Sequence, residues 1–467
     1  MIPSGAPIVT AAEMRAAEQA VFASGVSQDS LMERAGAAVA RETARFAMGR
    51  PILILAGPGN NGGDAYVAAR LLHAEGHDVN LVATGAPKSG AAERMQALWH
   101  GPTSSLYAAR PRPVLVDGLF GTGMTRPLDR GLAAVFADLA KQAAFTLSID
   151  LPSGLDTDTG ADLGAPRGID VTVGLGALKP AHLLDTGLER CGRVLLVDLD
   201  IPIDTRRRTV ARPRIEIPGA HSHKYSRGLV AVIEGAMPGA ARLAARAAMA
   251  GGAGYVVLAG DRPWGDGPDA LVRREVRSAE DLIEFLGWDR IDAVVLGPGL
   301  GRDRRAEAYL RAAFAAPCPL ILDGDALTLL GTGAARWLET RAAPTWITPH
   351  SGEFDRMFGS EGSKIDRTLA AAAETRSTIV HKGADTVIAS PKGEVRVLAG
   401  ASPWLSTAGT GDVLAGLLAA QVVQGGKGIV PAEAAAWLHA RAAQLAGPAL
   451  IADELVAHIP GAISECL

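Results

Sequence analysis

Short apolar runs, each closed by a glycine-bearing turn and followed by an alanine-rich helical stretch, recur from Pro51 almost to the end of this chain. That alternation constrains the fold more than any other feature. A strand that is apolar on successive residues must be covered on both faces, and helices flanking a parallel sheet supply the cover. Strands are expected at Pro51 to Ala56, Val79 to Ala83, Val114 to Val116 and Phe145 to Ile149, with helices at Glu13 to Ala23, Asp29 to Met48, Ala65 to Ala74 and Gly131 to Ala143. A second series of strands reads Leu229 to Ile233, Tyr255 to Leu258, Ala293 to Leu296, Leu320 to Leu322, Thr345 to Ile347 and Ser377 to Val380, with helices such as Ala241 to Ala250 and Arg305 to Ala315 between them. From Pro202 to Ser222 the pattern lapses. There Arg206, Arg207 and Arg208, followed by Pro213 and Pro218, read as a solvated linker. With 467 residues against ~100–200 per domain, the expectation is α/β with two doubly wound domains, 1–213 and 214–467.

The net charge of -4 gives no basic field that would draw the chain to nucleic acid or to an anionic membrane. No apolar run reaches the ~18 residues of a membrane helix, and Met1 to Thr10 lacks the basic and apolar regions of a leader. Cys191, Cys318 and Cys466 lie far apart with no paired metal spacing, which points to a reducing, cytoplasmic setting. A homo-oligomer is expected.

Gly57, Gly59 and Gly62 satisfy G-x-G-x-x-G between a strand and a helix. The acid that a nicotinamide dehydrogenase places after its second strand is missing, because Ala83, Thr84 and Gly85 stand there. The loop instead carries Asn60, Asn61 and Asp64. Asn61, Asp117 and Ser153 each follow a different strand, so a parallel sheet turns all three towards one crevice. An amide, a carboxylate and a hydroxyl suit a hard cation, a monovalent one better than calcium. Asp150, at another strand end, reads as a general base or a ribose acceptor.

In the second half, Ser406 to Val413 reads S-T-A-G-T-G-D-V and opens an apolar helical pattern. Gly409 and Gly411 leave backbone N–H groups open at a helix start, a place that suits phosphate. Asp412 stands beside them, ionised and able to take a proton from a hydroxyl. G-P-G-L-G at Gly297 to Gly301, His350 with Glu353 after a strand, and K-G-A-D-T at Lys382 to Thr386 add room for backbone approach, a ligand contact and a cation for phosphate. Together these describe phosphoryl transfer to a hydroxyl, with Ala408 to Gly411 as the oxyanion hole. The helices Pro431 to Leu445 and Asp453 to Ile459 read as packing elements.

G-P-G-N-N-G-G-D, D-G-L-F-G-T-G-M-T-R-P-L and I-D-L-P-S-G-L-D, in that order, resemble the epimerase domain that repairs hydrated NADH and NADPH. The resemblance implies that substrate meets Asn60, Asn61, Gly62, Gly63, Asp64, Gly121, Thr122, Gly123, Met124, Thr125, Arg126, Pro127 and Asp150, and that Asn61, Asp117 and Ser153 hold potassium. Ala65 replaces a glycine usual in that family, and its methyl is expected to crowd the ligand. The second half resembles ribokinase-like kinases and, more closely, the ADP-dependent dehydratase domain for the same hydrates. That resemblance implies hydrate contacts at Ala240, Gly301, His350 and Asp412. Adenine-nucleotide contacts fall at Lys382, Gly383, Ala384, Asp385, Thr386 and Gly411, with magnesium accompanying ADP. Glu234 stands where this family often has glycine. The rival readings are a small-molecule kinase that releases its phosphorylated product, and a first domain that only binds or assembles.

Overall fold

The computed structural model describes residues 2–261 and 267–467. The chain divides into two compact units, Met1–Thr209 and Val210–Leu467.

In the first unit the strands are β1 (Ile52–Ala56), β2 (Val79–Ala83), β3 (Thr103–Ser105), β4 (Val114–Gly118), β5 (Phe145–Ile149), β6 (Val171–Leu175) and β7 (Arg193–Val197). They form one sheet in the order β3-β2-β1-β4-β5-β6-β7, and all the pairings are parallel. Alternation along β1 divides the core. Ile52 and Ile54 join Leu31, Val39, Val67 and Leu72 in one cluster, while Leu53 and Leu55 join Phe136 and Leu139 in another. The strand order reverses between β1 and β4, so the turns after Ala56 and Gly118 part to opposite sides and leave a crevice. A short strand β8 (Arg207–Thr209) ends the unit, bridged to Pro7 through Arg208. The arginine run is therefore not a solvated linker. Arg207 Nη1 lies 2.7 Å from both carboxylate oxygens of Glu13, and Arg208 Nη1 donates to the Gly5 carbonyl at 3.1 Å.

The second unit has β9 (Leu229–Ile233), β10 (Tyr255–Gly260), β11 (Val272–Glu275), β12 (Ala293–Leu296), β13 (Leu320–Leu322), β14 (Thr345–Ile347), β15 (Thr378–His381), β16 (Asp385–Ala389) and β17 (Val395–Ala399). Their order is β11-β10-β9-β12-β13-β14-β15-β16-β17. The strands are parallel up to β15 and antiparallel beyond it. The reversal here lies between β9 and β12. Both units are thus doubly wound, as the alternation in sequence requires.

Helix Thr410–Val423 packs so closely on helix Pro238–Ala250 that a Cβ at Gly416 would stand 1.9 Å from the Ala244 carbonyl oxygen. Gly416→Ala is expected to cost about 1–3 kcal/mol through overpacking, read as a lower denaturant midpoint.

Among the described residues no helix is long and apolar enough to cross a membrane.

Candidate functional site

In the first unit a cavity of about 650 Å³ opens at the strand-order reversal. Asn60, Asn61, Asp64, the whole of Gly121 to Pro127, and Asp150 line it. Gly62 and Gly63 do not. A Cβ at Gly62 would stand 1.8 Å from the Gly57 carbonyl oxygen, and one at Gly63 would meet Met32 Sδ at 2.4 Å, so both glycines serve packing. The helix begins at Asn60, not Ala65, which puts Asn60 to Asp64 in its first turns. Tertiary fit overrides the poor helix propensity of the glycines here. Ala65 is fully buried and faces Gly118 on β4, where a Cβ would lie 2.6 Å from its own. Its methyl therefore packs on the sheet and does not crowd a ligand.

Asp150 follows β5 in the left-handed region, at φ 61°. Its Oδ1 accepts from Lys179 Nζ at 2.5 Å and from the Leu175 N–H at 3.2 Å. Lys179 is 1% exposed, and its Nζ also donates to the Leu175 carbonyl at 2.7 Å. His182 Nδ1 accepts from the Lys179 N–H at 2.9 Å, so the proton sits on Nε2, which donates to the Asp150 carbonyl at 2.6 Å. Burial lowers the His182 pKa to about 4, keeping the ring neutral. Neither Lys179 nor His182 was identified from sequence. The only signal was the polar L-K-P-A-H stretch just beyond β6, a strand the apolar pattern did not reveal.

Asp117, next to last in β4, is fully buried, and unlike Asn61 neither it nor Ser153 is among the residues lining this cavity. Ser153 Oγ and the Leu119 N–H reach its Oδ1 at 2.6 and 3.2 Å, while the Ser153 N–H and Ser148 Oγ reach its Oδ2 at 2.8 and 3.0 Å. All these donors are neutral, and burial raises the Asp117 pKa to about 6. Ser153 Oγ also accepts from the Phe120 N–H at 2.8 Å. Asn61 packs against neighbouring Gly121, and its buried Nδ2 has no hydrogen-bond partner among the described residues.

The second unit gathers its charges just past the sheet. Asp323 follows β13 and pairs with Lys382 at 2.6 Å. A Cβ at Gly411 would stand 3.3 Å from Lys382 Nζ and 3.6 Å from Asp323 Oδ2, so this ion pair borders the helix start. The helix runs Thr410–Val423, and its first N–H groups have no intrahelical acceptor. Asp412 sits in that first turn, and no hydrogen bond among the described residues ties its carboxyl. Burial, then the charge of Asp323, raises its pKa to about 6, with Lys382 opposing and Asp325 adding to the rise. The helix start alone would have held it lower. It remains ionised at neutral pH by a narrower margin, which suits a general base.

His350 caps helix Ser351–Phe358 through a reciprocal pairing with Glu353, and its backbone bridges to Lys382. Gly301 donates its N–H to Asp325 Oδ2 at 3.0 Å, and Arg302 Nε donates to the other oxygen at 2.7 Å. Ala240 lies beside Gly299, whose Cβ would come within 3.1 Å of it. Lys382 to Ala384 form the turn between β15 and β16, and Asp385 and Thr386 open β16. Thr386 Oγ1 donates to the Gly383 carbonyl at 2.8 Å, and Asp385 is held by Lys364 at 2.5 Å. Asp323 and Asp325 escaped the sequence reading, although two acids directly after an apolar run were a usable signal. His439 escaped it as well. It is buried on helix Val430–Ala446 with Nε2 at 2.9 Å from the Thr410 carbonyl, so that helix does more than pack. Glu234, after β9, also has a physical account. It is 2% exposed, with Arg273 at 2.9 Å and Arg242 at 3.6 Å.

Two doubly wound units, one with an acid–lysine cavity and the other with a glycine-rich helix start beside a poised acid, describe a two-site enzyme. Residues 28–181 match the family model described as the YjeF-related protein N-terminus, and residues 230–459 match the one described as NAD(P)H-hydrate dehydratase. The bifunctional NAD(P)H-hydrate repair enzyme of Gloeobacter violaceus is 37% identical, with 94% of this chain and 93% of that protein covered. The Salinibacter ruber enzyme of the same name is 32% identical, with 98% and 96% covered. A Bacillus subtilis ADP/ATP-dependent NAD(P)H-hydrate dehydratase, co-crystallised with ATP and magnesium, is 26% identical with a TM-score of 0.47, covering 54% of this chain and 95% of that one. The chain belongs to the family of bifunctional NAD(P)H-hydrate repair enzymes.

Proposed function

We propose that the first unit interconverts the two epimers of hydrated NADH and NADPH, and that the second dehydrates one of them with ADP. The observation that carries the second assignment is Asp412, a carboxyl with no hydrogen bond among the described residues, in the first turn of a glycine-rich helix beside the Asp323–Lys382 pair. Asp412 takes the proton of the ring hydroxyl as its oxygen attacks the terminal phosphorus of ADP, and AMP leaves. The N–H groups at Thr410 to Asp412 and the Lys382 ammonium face the charge that builds on the phosphoryl group. Hydroxide leaves a carbon poorly, and phosphate leaves it well. The ring nitrogen's lone pair then expels phosphate, a proton departs from the adjacent carbon, and the dihydronicotinamide returns. His350 and Gly301 belong to the hydrate side of this crevice, and Lys382 to Thr386 to the nucleotide side.

Magnesium would accompany the nucleotide in this reading and would supply positive charge to its phosphates. In the first unit Asn61, Asp117 and Ser153 would hold potassium, which offsets the charge of a buried carboxylate. The fit rests on Asp117, whose hydrogen-bond donors are all neutral. Exchanging potassium for lithium is expected to lower the melting temperature of the wild-type protein by a few degrees and to leave Asp117→Asn unchanged. Equal shifts in both proteins would remove potassium from this site. Three buried, free cysteines support a reducing, cytoplasmic location.

Incubation with chemically hydrated NADH and ADP tests the whole reading. Return of NADH absorbance with release of AMP and phosphate supports it. A stable phosphorylated product would make the second unit a plain kinase.

A further inference from the structure

The cavity of the first unit holds more ionisable groups than grip on a substrate requires. Arg15, Glu18, Asp64, Asp150 and Lys179 all line it, Arg126 and Asp129 stand in its loop, and His182 lies behind Asp150. They are not equivalent. Asp150 is matched with a fully buried ammonium, whose other contact is a neutral carbonyl. Asp64 is 8% exposed, borders the same space, and has no hydrogen bond or ion pair among the described residues.

We propose that Asp150 and Asp64 are the base and the acid of an epimerisation that proceeds by opening the nicotinamide ring, with Lys179 as the positioning residue that holds the Asp150 carboxylate in place. This rests on the epimerase reading of the first unit. The hydrated carbon carries both a hydroxyl and the ring nitrogen. Asp150 removes the hydroxyl proton, the C–O pair folds into a carbonyl, and the carbon–nitrogen bond breaks. The released electron pair stays on nitrogen, which takes the Asp64 proton. Rotation about the neighbouring carbon–carbon bond offers the other carbonyl face to nitrogen. Ring closure returns one proton to Asp64 and one to the new hydroxyl. Atoms and charge balance, and no co-reactant enters.

Protonation supports the assignment. Burial, then the Asp150 charge and the Glu18 charge, lifts Asp64 well above the ordinary carboxyl range, with Lys179 opposing. A buried carboxyl pushed towards its protonated form, sharing a cavity with one that is held against an ammonium, makes an acid beside a base. Glu18 is raised by burial too, with the Asp150 charge adding, but the positive charges of both Lys179 and Arg15 oppose the rise and it is less enclosed.

Asp64→Asn keeps the shape and removes the transferable proton. Its epimerisation kcat is expected to fall about 10²–10⁴-fold with KM little changed, and Asp64→Glu should recover part of the loss. Wild-type kcat in Asp64→Asn overturns the proposal. Epimerisation of the wild-type protein in heavy-oxygen water is a check that needs no variant. Ring opening retains the original oxygen, whereas label entering at the rate of epimerisation shows loss of water instead and overturns the proposal. A wild-type protein that dehydrates one epimer but never interconverts the two would sink the epimerase reading itself, and this assignment with it.

Discussion

Asp412→Ala will abolish dehydration of the hydrate and leave epimerisation at its wild-type rate. Loss of a general base in the transition state typically costs about 10²–10⁴-fold, and here the carboxyl also stands in the turn that receives the phosphoryl group. The measurement is single-turnover return of NADH absorbance, beside separate quantification of the two epimers. Asp150→Ala will do the reverse, because its carboxylate and Lys179 belong to the other unit. If either substitution destroyed both activities in a folded protein, the two-site account would be wrong. The pH dependence of the wild-type enzyme carries the same information. Asp412 must be deprotonated to act and its pKa is raised to about 6, so kcat/KM for dehydration should fall as pH drops through about 6 and level off above it.

Lys382→Met will damage the second site in two separable ways. It leaves Asp323 buried without its cation, and breaking a buried pair costs about 3–5 kcal/mol, visible as a lower denaturant midpoint. It also takes away the one positive charge that holds the Asp412 pKa down, so the acid limb of the dehydration profile should move above 6. A merely structural lysine would lower stability and leave the limb in place. Loss of its charge from the phosphate side should raise KM for ADP as well, with Lys382→Arg intermediate because the charge survives in a different shape.

Strand positions were legible where apolar runs were unbroken, as at Leu229–Ile233 and Ile52–Ala56, because burial on both faces leaves no polar residue to blur them. β6 was not, since V-T-V-G-L carries threonine and glycine within a five-residue strand. Without β6, Lys179 had no place in the sheet, and its pairing with Asp150, 29 residues earlier, was beyond local pattern. The same holds for Asp323 and Lys382, 59 residues apart. The motif after Gly57 was legible as a ligand loop, but its glycines hid a helix start, because their need comes from contacts with Gly57 and Met32 that only the folded chain displays. His439 shares its alanine-rich helix with Glu433, Arg441 and Gln444, and nothing in the sequence singles it out from them.

The grip of His439 on the Thr410 carbonyl has a consequence for synthesis. Every other group assigned here to phosphoryl transfer precedes Val430–Ala446 in the chain, so a ribosome delivers that clasp after the groups it steadies. A nascent chain halted before that helix would own a finished first cavity and an unfastened phosphate cradle.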